Sequence, residues 1–419
     1  MRRFAHILTK WSLWSSVSML LLTGCFGGAA SSRSSLQASE RPTSPIAASA
    51  PAADAIQAKL QAMSAEEKIG QLIFAGIDGT DMNLHTRELI ETYHVGGIIL
   101  YKSNVKNTIQ LASLADGLKH TNIGNKLPLW LGVDEEGGKV TRLPDDIEKT
   151  PSNKEIGRMG STEFAYGVGS MLGKELSAYG LNVDFAPVLD INSNPKNPVI
   201  GERSYGANAS IVSRMGIQTM KGLRDQHVMP VVKHFPGHGD TSVDSHVGLP
   251  IVQHDVTRLR KLELVPFAEA IKNQAEAVMV AHILLPTVDA QHPSSMSKKI
   301  MTDLLRQEMG FQGLIITDDM TMGAITTHNE LGEASVTAVL AGADVVLVGH
   351  DYDKAVTVIG ALRKAVQDKR IPMDTIDQSV ERIMQLKMKY QLKDDAVPAP
   401  DSELLNDAVR RLVHTYLHK

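Results

Sequence analysis

Residues 313–319 read Gly-Leu-Ile-Ile-Thr-Asp-Asp, an apolar run that stops at two carboxylates. A strand with one wet face would alternate apolar and polar residues, whereas an unbroken run fits a parallel strand covered on both sides. The pattern recurs as GGIIL at 96–100, VMVAH at 278–282 and DVVLVG at 344–349. Eight strands are expected in all: Ile69–Ile77, Val95–Tyr101, Leu127–Val133, Leu181–Val188, Met229–His234, Ala277–His282, Gly313–Thr317 and Ala343–Gly349. Helical patterns separate them at Thr162–Tyr179, Ile211–Gln226, Thr257–Asn273, Lys298–Glu308 and Glu333–Ala341, several closing on glycines such as Gly180 and Gly310. Eight such units predict an α/β chain folded as a (β/α)8 TIM-type barrel, a single catalytic domain, rather than an open doubly wound sheet. Val356–Leu392 adds helices, and Ser402–Leu417 reads as an amphipathic helix after a link containing Pro398 and Pro400.

A barrel carries its chemistry at the C-terminal ends of its strands, so the residues that follow each run are the informative ones. They are DEEGGK from Asp134, Asp190, Lys233-His234, His282, Asp318-Asp319 and His350-Asp351. The densest stretch is VKHFPGHGDTSVDSH at 232–246, too polar and too interrupted by glycine for a helix or core strand, and so a loop at the site. Within it Asp244 and His246 form a carboxylate–imidazole pair able to move a proton near neutral pH. One of the neighbours Asp318 and Asp319 is a candidate nucleophile, while the alternative role, N-cap of the next helix, fits Asp319 well and Asp318 less well. Trp130 and Tyr205 fit packing better than sugar contact.

Of the chain's 419 residues 43% are hydrophobic and 21% charged, which excludes collagen-like, coiled-coil, fully disordered and multi-spanning classes. A net charge of −4 offers no basic field for a phosphate backbone, so nucleic acid is not an expected partner. Its single cysteine cannot form an intramolecular disulfide or a cysteine-based zinc site. At the N-terminus, Arg2, Arg3 and Lys10 precede the apolar run Trp11–Leu22, too short to span a bilayer and suited to an export signal. Leu22-Thr23-Gly24-Cys25 resembles a bacterial lipobox, which marks Cys25 for lipidation. The expected organisation is a signal peptide at 1–24, the lipidated cysteine and a Ser/Ala/Pro-rich tether at 25–53, the barrel at 54–393 and a link with a helix at 394–419. Residues 1–24 carry three positive and no negative side chains, so their removal takes the net charge from −4 to −7. The expected location is the outer face of the cell membrane, or its periplasmic side, through a lipid anchor.

Taken together, these motifs resemble glycoside hydrolase family 3, specifically its β-N-acetylhexosaminidases. Leu304-Leu305-Arg306-Gln307-Glu308 with GLIITD at 313–318 is similar to the family's nucleophile signature, and KHFPGHGD at 233–240 with DSH at 244–246 is similar to the loop of the hexosaminidase branch. The resemblance covers about Asp54 to Leu392. It implies Asp318 as nucleophile, His246 as general acid/base and Asp244 as its dyad partner. Asp134, Arg142, Arg203, Lys233 and His234 would hold sugar hydroxyls. Lys139 stands where an arginine is more usual. The implied reaction is retaining, exo-acting removal of terminal β-linked N-acetylglucosamine from cell-wall muropeptides or chitin-derived oligosaccharides, through a covalent glycosyl-aspartate. No cofactor or metal is expected, and the chain is expected to be a monomer. Because a neutral imidazole repels an anion less than a carboxylate would, phosphate could compete with water as acceptor. Two other readings stay open: a metal-dependent barrel hydrolase using His234, His238, Asp240, Asp244 and His246, and a sugar-binding lipoprotein without catalysis.

Overall fold

The computed structural model describes the backbone of residues 50–417 and the side chains of 54–416. Cys25, the signal segment and most of the tether lie outside the described residues. Eight strands form, one for each apolar run: β1 (Ile73–Gly76), β2 (Gly97–Ile99), β3 (Trp130–Val133), β4 (Val183–Asp184), β5 (Met229–Phe235), β6 (Ala277–Val280), β7 (Leu314–Thr317) and β8 (Val346–Val348). All pair in parallel in the order β7-β6-β5-β4-β3-β2-β1-β8. The ring closes between β7 and β8, where Val345 N donates to Ile315 O at 3.1 Å and Thr317 N to Val345 O at 3.1 Å. The (β/α)8 barrel is therefore the observed architecture.

Side chains fill the barrel. Phe74 of β1 meets Phe185 edge to face at 5.4 Å. Glycine in the neighbouring strands leaves room for them, since a Cβ at Gly97 would lie 2.6 Å from the Phe74 ring and one at Gly132 2.9 Å from that of Phe185. At the other end of the barrel Asp344, buried before β8, accepts from Ile315 N (2.9 Å), Ser379 Oγ (3.0 Å), Arg306 Nη2 (2.5 Å) and Arg382 Nη1 (2.9 Å). Asp344→Ala strands two arginines around an empty site and is expected to cost about 3 kcal/mol or more. Denaturant unfolding measures this, and an unchanged midpoint would show that Asp344 does not brace the ring.

Three expected elements differ. The first strand begins only at Ile73, because Ala65–Gln71 is a helix whose start is fixed by a capping box. Glu67 N donates to Ser64 Oγ at 3.1 Å while Ser64 N donates to Glu67 Oε2 at 2.7 Å. The expected helix Thr257–Asn273 is two, Val256–Lys261 and Val265–Lys272. Pro266 has no N–H to continue the first and opens the second. Lys299–Glu308 is wound as a π-helix. Tyr352–Gln367 and Met373–Lys389 complete the ring, and Ser402–Leu417 lies against Thr162–Ala178, with the Tyr416 and Phe164 rings 5.0 Å apart. Among the described residues no helix is long and apolar enough to cross a membrane.

Candidate active site

A cavity of about 410 Å³ opens at the C-terminal ends of the strands, lined by residues that follow β2, β3, β5, β7 and β8. Asp134, Arg142, Arg203, Lys233, His234, His246 and Asp318 all line it, together with Glu136, His238, Asp319, Tyr101 and His350. Seven of the eight expected site residues among the described ones thus converge from five separate stretches of chain. Asp244, the eighth, stands behind His246 rather than on the wall. Trp130 and Tyr205 are buried away from the cavity, with Tyr205 Oη donating to Thr219 Oγ1 at 2.9 Å, as their packing role requires.

One side of the cavity is a network of opposite charges. Lys233, on β5, places Nζ 2.6 Å from Asp134 Oδ1 and 2.7 Å from Glu136 Oε1. Glu136 is gripped in turn by Arg203, whose Nε and Nη2 donate at 2.8 and 2.7 Å. Arg142 approaches Asp134 Oδ2 at 3.5 Å. Burial opposes the charge on each member, but the partners outweigh it: Asp134 and Glu136 are held below the usual carboxylate range and Lys233 is pushed up. The network is therefore ionised, rigid and rich in donors, which suits recognition of sugar hydroxyls.

His234 follows Lys233 through a cis peptide, and both side chains reach the cavity. Its Nδ1 lies 2.6 Å from Asp190 Oδ2 and its Nε2 3.4 Å from Arg203 Nη2. A carboxylate only accepts, so Nδ1–H is fixed towards Asp190. Asp190 Oδ1 also accepts from His238 N at 2.6 Å. The signal for Asp190 was its place after the fourth apolar run, and that for Glu136 was the DEEGG stretch. Neither spacing reveals that these carboxylates hold other site residues.

Asp318 follows β7, its N–H donating to Val280 O at 2.9 Å. Burial raises its carboxyl, but the imidazoles of His282 and His234, the Asp319 N–H (2.8 Å to Oδ1) and His238 bring it net below its ordinary value, so it is a carboxylate at neutral pH. Asp319 is not the helix cap expected of it. Its Oδ1 accepts from Thr321 N, Thr321 Oγ1 and Gly349 N at 2.9, 2.8 and 2.9 Å, lashing the rim of β7 to that of β8. His282 Nε2, 2.9 Å from Asp319 O, supports the same turn.

His246 is two-thirds exposed, with Nδ1 2.8 Å from Asp244 Oδ1, which leaves Nε2 free. Its loop is tied to the segment after Asp318: Ala324 N donates to Ser245 O at 3.1 Å and Gly323 N to His246 O at 3.3 Å. A Cβ at Gly323 would lie 2.7 Å from His246 O, so glycine permits this approach. From below, His238 Nε2 meets Ser245 Oγ at 3.2 Å. The residues of the metal reading are engaged in separate pairings: His234 with Asp190, His238 with Thr241 and Ser245, Asp240 with His254 at 2.6 Å, and Asp244 with His246. No group of three or more His, Cys, Asp or Glu suited to a metal ion occurs among the described residues.

Behind Asp134, burial pushes the Glu135 carboxyl up to about 7 despite bonds from Arg142 N, Thr141 Oγ1 and Leu143 N. A raised folded-state pKa stabilises below the unfolded value of 4.5, and that stability is lost as pH rises through about 7. Glu135→Gln keeps a neutral acceptor and removes this dependence. Its melting temperature is expected to gain on that of the wild type between pH 4.5 and 7.5, and parallel curves would contradict the assignment.

A family profile described as the glycosyl hydrolase family 3 N-terminal domain matches residues 64–386. Beta-hexosaminidase A of Pseudoalteromonas piscicida is 36% identical over 349 residues, covering 78% of this chain and 58% of that protein. Beta-hexosaminidase LpqI of Mycobacterium tuberculosis is 33% identical over 376 residues, covering 88% and 94%. The chain thus spans less than two thirds of the Pseudoalteromonas protein and nearly all of the mycobacterial one. Among solved structures, a family 3 β-N-acetylglucosaminidase from Paenibacillus sp. superposes with a TM-score of 0.79 at 40% identity, covering 84% of this chain and 69% of that one.

Proposed function

The chain belongs to glycosyl hydrolase family 3, among its β-N-acetylhexosaminidases, and from that premise we propose that it is a retaining, exo-acting enzyme that releases terminal β-linked N-acetylglucosamine. The observation that carries the proposal is the single cavity on which Asp318, His246 and the Lys233–Asp134–Glu136–Arg203 network converge. In the first step the Asp318 carboxylate attacks the anomeric carbon as the glycosidic C–O bond breaks, and the His246 imidazolium passes its proton to the departing oxygen. In the second, the neutral imidazole takes a proton from the water that displaces Asp318 and frees the sugar with its original configuration. Asp244, held against Nδ1, fixes the tautomer and turns Nε2 outward from the pair. Asp134, Arg142, Arg203, Lys233 and His234 hold the ring. A cavity of this size at the strand ends suits one terminal sugar rather than a threaded chain.

The proposed substrates are cell-wall muropeptide or chitin-derived oligosaccharides, met outside the cytoplasmic membrane. Support for that location is the sequence Leu22–Cys25 after its apolar run, which fits a lipid anchor. The test is hydrolysis of p-nitrophenyl N-acetyl-β-glucosaminide beside the matching glucoside. Preference for the N-acetyl sugar by at least about a hundredfold in kcat/KM is expected, since a site built around a polar substituent discriminates strongly against its loss. Equal turnover of the two would refute the assignment to hexosaminides.

A further inference from the structure

Tyr101 lies just beyond β2 and lines the cavity, yet the charge network and the acid/base loop make no use of it. Its backbone is pinned, because its N–H donates to Asn104 Oδ1 at 2.8 Å and Asn104 Nδ2 in turn holds the carbonyls of Ile77 and Gly79 at 2.9 and 2.7 Å. Its ring stacks on His350, with centroids 4.4 Å apart and planes 27° apart. The side chain is therefore fixed at both ends. Its hydroxyl, by contrast, has no hydrogen-bond partner among the described residues.

What surrounds that hydroxyl is informative. Burial, then the fields of Asp319, Asp134 and Asp318, hold the phenol well above its usual pKa, so it is a donor throughout the working range. These carboxylates already have partners: Asp134 has Lys233, Asp319 has Thr321 and Gly349, and Asp318 has the Asp319 N–H. Gly349 leaves the space that lets the hydroxyl in. A Cβ there would lie 2.1 Å from Tyr101 Oη and 2.5 Å from Asp319 Oδ2, so both groups converge on the volume a side chain would fill.

We infer that Tyr101 is a specificity-determining residue of this site, its phenol donating a hydrogen bond to one hydroxyl of the bound sugar ring. The inference rests on the proposed glycosidase function and adds to it a donor outside the charge network. Tyr101→Phe keeps the stack on His350 and removes only the donor.

The experiment compares wild type and Tyr101→Phe on p-nitrophenyl N-acetyl-β-glucosaminide and on its analogues lacking the hydroxyl at ring position three, four or six. The variant is expected to lose about tenfold in kcat/KM on the parent glycoside at an unchanged melting temperature. On one analogue wild type loses a similar factor, and the variant, with no donor left to waste, loses nothing further. Equal kcat/KM for the two proteins on the parent overturns the inference. So does a variant that loses as much as wild type on every analogue, since that marks a purely structural role. A wild type that leaves the parent glycoside intact overturns the functional reading and this inference with it.

Discussion

Asp318→Asn is expected to lower kcat by at least about a thousandfold on an activated aryl N-acetylglucosaminide, with KM little changed and the fold intact. The carboxylate is held ionised at the rim of β7 by nearby imidazoles and the Asp319 N–H, and an amide of the same shape keeps that Oδ1 hydrogen bond while losing the charge. Without a nucleophile the reaction has no covalent step to divide its barrier. The melting temperature is expected to fall modestly, because the lowered carboxyl pKa means that its partners outweigh its desolvation cost, and that stabilisation goes with the charge. Steady-state kinetics beside a melting curve measure both. A loss of less than tenfold would assign the nucleophile elsewhere.

His246→Ala is expected to show a loss graded by leaving group. For a nitrophenyl aglycone, which departs without a proton, kcat/KM should change little, because this parameter reports the first irreversible step. For a disaccharide, whose alkoxide cannot leave unprotonated, kcat/KM should fall by about 10²–10⁴. Asp244→Asn should give a weaker form of the same pattern, since Asp244 acts only through the imidazole it holds at 2.8 Å. Losses equal on both substrates would remove His246 from the acid role.

The barrel was legible because its strands are buried on both faces, and burial writes itself as uninterrupted apolar runs such as GLIIT and DVVLVG. The same criterion misled at Ile69, where apolar character continues through a helix into β1 and the Ser64–Glu67 capping box is the better signal. Residues 257–273 misled for the opposite reason, as helical periodicity persists across Pro266 while the backbone cannot. In the site, charged residues after apolar runs pointed to Asp134, Lys233, His234 and Asp318 and the polar loop to His246, whereas Arg142 and Arg203 came from the family resemblance; all seven reach the cavity wall. Partnerships were not legible, because Glu136 with Arg203 and Asp190 with His234 join residues 67 and 44 positions apart. Asp319 could not be distinguished from a helix cap without knowing that β8 closes beside it. Tyr101 escaped notice because an aromatic at the end of an apolar run reads as core.

The central claim is that Asp318 becomes covalently joined to the sugar. Its most direct test is incubation with a slow-reacting fluorinated N-acetylglucosaminyl fluoride, followed by proteolysis and mass spectrometry of the inactivated protein. One sugar per chain, carried on the peptide that holds Asp318 and absent from Asp318→Asn, is the predicted result. A label on another carboxylate, or complete turnover of the reagent with inversion at the anomeric carbon and no adduct, would contradict it.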